Sequence, residues 1–260
     1  MIMIETKNLT CGYGSKIIIE DINLQISCKD FVGIIGPNGS GKTTLLRAIT
    51  KILKPEKGEI LIEGNNISQV VFKELAKKVA IVSQNLEPTF MTVEEFVLLG
   101  RIPYYNKFQL FETNKDKEIV EKCMFLTDIL ELKDRFIPEI SGGERQLVCI
   151  ARALAQEPKI LILDEPTAHL DIAHQVKILN LIKKLNKELG LTVIIVLHDL
   201  NLAGEYCDHI VLFNNGRIHK IGYPEEVLTY QMIEEVYKTV VVVEKNPISN
   251  KPYVILVANR

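Results

Sequence analysis

Polar and apolar residues alternate through Ile22-Asn23-Leu24-Gln25-Ile26, the period of a strand with one buried face. An apolar run over 31–35 then leads straight into a glycine-rich stretch. Beyond Lys42, the positions Leu45, Leu46, Ile49, Ile52 and Leu53 recur at helical spacing until Lys54-Pro55 stops them, so strand, loop and helix follow in order. Residues 59–63 alternate again between Gly58 and Gly64, 72–78 reads as helical, and 79–82 as a short buried strand.

From Leu86 to about Gln156 the pattern turns helical. Thr92-Val93-Glu94-Glu95 is a capping-box start, with Gly100 as its stop; Ile119, Cys123 and Leu126 mark a second helix, and Leu147, Ile150, Ala151 and Leu154 a third. Continuous apolar strands return at 159–163 and 192–197, separated by a helix with Ile172, Val176, Leu179, Ile182 and Leu185 on one face. Asn215-Gly216 is a favoured hairpin turn between 209–213 and 217–221, and a last β pair, 240–244 with 253–257, follows. The pattern predicts one α/β domain over 1–260, with a core from 1–85 and 157–260 and an inserted helical subdomain over 86–156.

Composition narrows the setting. With 260 residues, 47% hydrophobic and 25% charged, the chain can bury a large core without disulfides or metals. A formal charge of −2 gives no global positive field for nucleic acid or an anionic membrane. Aromatics at 7%, with no Trp, offer no stacking platform for single strands. The five cysteines form no Cys-x-x-Cys pair and read as reduced thiols. No apolar run approaches the roughly 20 residues that cross a bilayer, and Met1-Ile2-Met3-Ile4-Glu5 lacks the features of a secretory signal, so a cytosolic protein is expected.

Gly36-Pro37-Asn38-Gly39-Ser40-Gly41-Lys42-Thr43 matches the phosphate-loop pattern G-x-x-x-x-G-K-[ST] in the strand-to-helix context that the pattern requires. Its glycines let backbone amides approach phosphates, Lys42 reaches the β- and γ-phosphates, and Thr43 is a ligand for Mg²⁺. Asp164, at the carboxyl end of the apolar run Ile160-Leu161-Ile162-Leu163, supplies the metal carboxylate; Glu165 beside it can polarise the attacking water. Alone, Glu165 before Pro166 would read as a solvated capping carboxylate. Cys207, Asp208 and His209 are adjacent and read as core and turn residues; His169 and His174, five apart, do not share a helical face.

Ser141-Gly142-Gly143-Glu144-Arg145-Gln146 opens a helix just upstream of the Asp164-Glu165 strand, a second anion-binding helix start in a chain that already has one phosphate loop. Here the sequence resembles the ATP-binding subunits of ATP-binding cassette (ABC) transporters, along essentially its whole length. The resemblance implies a P-loop NTPase core with an antiparallel β subdomain and a helical signature subdomain. It also implies an ATPase that works with ATP and Mg²⁺. Tyr13 matches the aromatic that stacks on adenine, although it also reads as an ordinary strand aromatic. Thr44 belongs to the phosphate loop, Gln84 to the contact with Mg²⁺ and water, Ser141, Gly142 and Gly143 to the signature, Asp171 to the intersubunit loop, and His198 to the γ-phosphate switch. Ile140 and Glu144 depart from the family's usual Leu and Gln. Glu144 puts a charge near phosphate and is expected to be peripheral, pointing away or pairing with Arg145.

The partners implied are a second copy facing it head to tail, and two transmembrane permease subunits contacted through about 84–111. An extracytoplasmic substrate-binding protein would be an indirect partner. The protein would sit peripherally on the inner face of the membrane. Leu99-Gly100-Arg101-Ile102-Pro103-Tyr104-Tyr105 resembles a stretch in importers for iron–siderophores, haem and cobalamin, although it also reads as a helix stop with a packed turn. A soluble cassette ATPase of repair, translation or iron–sulfur assembly is the alternative; the chain has one phosphate loop and no long heptad run.

Overall fold

The computed structural model describes residues 1–83, 89–107, 109 and 111–258. They fall into two compact units: the first comprises 1–70 and 192–260, the second 71–191.

The first unit opens with β1 (Ile2–Tyr13) and β2 (Lys16–Ser27), paired antiparallel with Ile4 opposite Ile26 and Leu9 opposite Ile22. β3 (Phe31–Ile35) is buried at every position and leads through the phosphate loop into α1 (Lys42–Ile49). β4 (Lys57–Ile62) pairs with β1, and β5 (Asn65–Asn66) with β4, giving an antiparallel sheet in the order β2-β1-β4-β5. The expected helix to Leu53 ends at Ile49 instead. Thr50 Oγ1 turns back onto Leu46 O at 2.9 Å, Lys51 takes φ 62°, and Ile52 is exposed.

In the second unit, α2 (Phe72–Ala76) precedes β6 (Val79–Val82). α3 (Val93–Leu98) starts in the Thr92–Glu95 capping box that its sequence announces. α3 ends just before Gly100, as expected, and a 3-10 turn, Leu99–Tyr104, follows directly; Gly100 packs against α5 so closely that a Cβ would lie 2.3 Å from Arg152 O. α4 (Asn114–Leu126) and α5 (Gly142–Ala155) follow, both with capping boxes. β7 (Ile160–Asp164) is parallel to β6, with Val79 opposite Ile160. α6 (Ile172–Leu189) buries Ile178, Leu179, Ile182 and Leu185, while Ile172 is 80% exposed and Val176 38% exposed. The apolar face expected from Ile172 onward therefore starts later, at Ile178.

The first unit resumes with β8 (Thr192–Val196), parallel to β3. α7 (Leu200–Tyr206) leads to β9 (His209–Asn214), parallel to β3 on its other side, and β10 (Arg217–Gly222) returns antiparallel through Asn215 and Gly216. Their φ values of 47° and 75° match the turn that Asn-Gly favours. α8 (Pro224–Val227), α9 (Tyr230–Tyr237) and the antiparallel pair β11 (Val241–Lys245) and β12 (Pro252–Leu256) complete it. Parallel pairing on both sides of β3 explains its uniformly apolar sequence. Among the described residues no helix is long and apolar enough to cross a membrane.

Candidate nucleotide site

The phosphate loop leaves β3 at Gly36, whose φ is 147° and whose missing Cβ would lie 2.4 Å from Phe213 O of β9. At Gly41, φ is 105° and a Cβ would meet Ile19 Cγ2 at 2.4 Å. Only glycine fits either place. The β9–β10 turn supports the loop: Gly216 N donates to Ser40 O at 3.1 Å, and Gly216 O accepts from Glu20 N at 2.9 Å. Lys42 is buried, and its Nζ donates to Gly36 O at 2.8 Å and Pro37 O at 3.0 Å. Tyr237 of α9 also reaches this turn: burial pushes its phenol up to about 12, opposed by a hydrogen bond with the Gly36 backbone.

Two observations fit this cradle to a polyphosphate. Ser40 is 4% exposed, yet its Oγ has no hydrogen-bond partner, a costly state for a buried hydroxyl unless a ligand supplies one. α1 has no side-chain cap and no acidic residue in its first turn, so its amides and positive dipole end are left for an anion. Thr43 and Thr44 follow on that same first turn. Tyr13, at the end of β1, is 45% exposed, and its hydroxyl accepts from Arg47 Nη1 of α1 at 3.0 Å. His198 stands exposed two residues after β8.

Asp164 and Glu165 belong to the second unit, where Asp164 ends β7 and both are half-buried. Glu165 takes φ 52°, a left-handed conformation that is strained for a side chain of its size. A hydroxyl at Thr43 and a carboxylate at Asp164 are hard oxygen donors of the kind Mg²⁺ prefers. Gln84 lies outside the described residues.

The signature segment is built on the N-terminus of α5. Ser141 Oγ accepts from Glu144 N at 3.2 Å, and Glu144 Oε2 accepts from Ser141 N at 2.7 Å. Glu144 folds onto the signature serine, and among the described residues it forms no ion pair with Arg145. Its backbone bond from Ser141, then the Ser141 side chain, hold its carboxyl below the usual range. Gly143 abuts the imidazole of His174, with a Cβ placed 2.3 Å from His174 Cδ2. Asp171 caps α6, accepting from His174 N at 2.8 Å, and its carboxylate also meets His174 Nδ1 at 2.8 Å. The backbone bond first, and the His174 side chain second, lower the Asp171 pKa. His174 thus ties Asp171 to Gly143, a role that its spacing from His169 concealed. Cys207 lies against Gly33, and Asp208 Oδ2 accepts from Phe31 N at 3.0 Å.

A strand-loop-helix phosphate cradle in a parallel β setting defines a P-loop nucleoside triphosphatase. The family model described as ABC transporter matches residues 19–168, and the chain belongs to that family of ATP-binding, ATP-hydrolysing cassettes. It is 39% identical to the ferric enterobactin transport ATP-binding protein FepC of Escherichia coli over 250 residues, covering 96% of this chain and 92% of that one. A metal-chelate type ABC transporter solved in an inward-facing conformation superimposes with a TM-score of 0.86 at 25% identity, over 99% of this chain and 97% of that chain. The dimeric structure of MJ0796, a bacterial ABC transporter cassette, gives a TM-score of 0.75 at 35% identity, over 85% and 99%.

Proposed function

We propose that this chain is the energy-coupling ATPase subunit of a membrane importer for metal chelates of the iron–siderophore, haem or cobalamin type. The observation that carries the nucleotide part is the glycine cradle with its buried, unpartnered Ser40 Oγ. The importer part is supported by the likeness to an enterobactin transport ATPase and to a metal-chelate transporter.

Gly36, Pro37, Asn38, Gly39, Ser40, Gly41 and Thr44 shape the loop that holds the phosphates, and Tyr13 stacks on the adenine. Lys42 leaves the loop carbonyls for phosphate oxygens, and with His198 it stabilises charge gathering on the γ-phosphate. Glu165 orients the attacking water and takes its proton. Thr43, Gln84 and Asp164 would hold Mg²⁺, which neutralises phosphate charge when bound. Ser141, Gly142 and Gly143 complete the ATP site of a second copy facing head to tail, and Asp171 links the two copies; the dimeric relative supports this assembly.

Two permease subunits dock on about 84–111, where Phe90, Ile102 and Phe111 expose large apolar surface. The ATPase stays peripheral on the inner face of the membrane, with an extracytoplasmic binding protein delivering cargo. Uptake by the reconstituted transporter, screened with ferric siderophores, haem, cobalamin and oxyanions, tests the reading. ATP-dependent uptake of a metal chelate is expected. Uptake of an oxyanion alone would overturn the substrate class, and failure to associate with any permease would favour a soluble cassette ATPase.

A further inference from the structure

Arg101 sits in the docking segment yet is 2% exposed, so it cannot itself meet a permease. Its guanidinium joins three elements. Nε donates to Asp116 Oδ1 at 2.9 Å, in the first turn of α4; Nη1 donates to Ala155 O at 2.7 Å, the last residue of α5, and to Glu157 Oε2 at 2.8 Å just beyond it. The plane stacks on Tyr104, 4.0 Å from the ring centroid, and Tyr104 Oη donates to Gln156 O at 2.9 Å. Asp116 is held in turn by the Thr113 hydroxyl and backbone, whose bonds, with that of Arg101, outweigh the effect of burial and keep its carboxyl charged. Gly100 brings the turn's backbone against Arg152 O, and Arg152 stacks on Phe96 of α3.

The 3-10 turn Leu99–Tyr104 is thereby fastened to the carbonyl end of α5, whose other end carries Ser141. At 1.5 Å per residue that helix is about 21 Å long, and a well-packed helix moves as a unit. We propose that Arg101 is a positioning residue. It makes the docking turn and the signature helix one rigid part, so that movement imposed on exposed residues such as Ile102 displaces Ser141–Gly143 instead of being absorbed at Gly100. This proposal rests on the transporter reading. One guanidinium faces two carboxylates, the buried Asp116 and Glu157, and the surplus negative charge lies at Glu157, whose side chain is 53% exposed and half hydrated.

The test compares the ATPase of the free subunit with that of the complete transporter in proteoliposomes, for wild type, Arg101→Lys and Glu157→Gln. Lysine keeps the charge but cannot present the planar fork to three partners at once. The expected result is about a tenfold loss of the complex-to-free activity ratio for Arg101→Lys. Glu157→Gln should lose two- to fivefold, with free-subunit activity within twofold of wild type. Glu157→Gln alters a half-exposed carboxylate, so it carries the test if Arg101→Lys fails to fold. A ratio within 1.5-fold of wild type for Glu157→Gln, or an equal drop in the free and assembled forms, would overturn the coupling role while leaving the transporter reading intact. Absence of permease stimulation in wild type would overturn both.

Discussion

The two helix N-termini that the transporter reading assigns to ATP are prepared in opposite ways. α1 has no side-chain cap, no acid in its first turn and an orphan hydroxyl at Ser40. α5 is closed by a complete capping box in which Ser141 and Glu144 satisfy each other's amides. The first is a standing anion site. The second already uses the Ser141 and Glu144 amides internally, although the Ser141 hydroxyl, an acceptor in the cap, still carries a proton that it can donate. In the proposed reading the difference orders events: the phosphate loop loads ATP on the single subunit, and the signature engages when a second copy brings its loaded ATP across.

The largest effect expected follows from leaving both ends occupied. Glu165→Gln keeps the shape of the side chain but removes the base, so hydrolysis should fall about 10²- to 10⁴-fold while ATP still binds. Gel filtration with ATP should show a stable dimer in which the signature segments stay engaged. Full turnover in this variant would remove Glu165 from the role of base.

Lys42→Ala attacks the open end alone. Lys42 Nζ rests on Gly36 O and Pro37 O and is the one cation built into the loop. Losing it should weaken ATP binding or turnover by about 10²- to 10³-fold, the scale of a removed transition-state donor. The variant's melting temperature should stay near wild type, because the loop backbone is held by Gly216 N and by β9. Isothermal titration with ATP, paired with a melting curve, separates the two.

The open end was legible in the sequence because its determinants are contiguous: an apolar strand, a glycine-rich loop and a helix within twenty residues. The capping box at Thr92 and the Asn215-Gly216 turn were legible for the same reason, being local. What was not legible lies between residues far apart in the chain. Phe213 O under Gly36, Gly216 under Ser40, Arg101 reaching Ala155, and Gly100 against Arg152 leave no periodic trace. The bond between Glu144 and Ser141 is local too, since Ser-x-x-Glu is itself a capping pattern.

Ser141→Ala probes the closed end. Removing the cap should cost about 1 kcal/mol, lowering the melting temperature by a few degrees. Single-subunit ATP affinity should not move, since in the proposed reading Ser141 serves the ATP of the second copy. ATP-driven dimerisation, followed by light scattering, should weaken about tenfold if the hydroxyl also meets the partner's phosphate. An unchanged dimer constant would reduce Ser141 to a cap.

The smallest and most discriminating change is Glu144→Gln. Glutamine can still accept the Ser141 amide, so the box survives without its charge. The Glu144 carboxyl is held below its ordinary value of 4.5, chiefly by the Ser141 backbone bond. A carboxylate so lowered stabilises the fold above the unfolded pKa and loses that contribution as pH falls through the folded one. Wild type should therefore melt slightly above the variant at neutral pH, by at most ~1 kcal/mol for a charge at a helix start. The gap should close below about pH 4.5. ATP should respond in the opposite sense: with no carboxylate opposing the partner's phosphates, the ATP-dependent dimer should tighten about threefold, the scale of a screened charge of ~1 kcal/mol or less. A variant both less stable alone and tighter as an ATP dimer would show that the Glu144 charge supports the fold and opposes the ligand. A dimer weakened by the substitution would instead mean that Glu144 supports the signature loop in the assembled state.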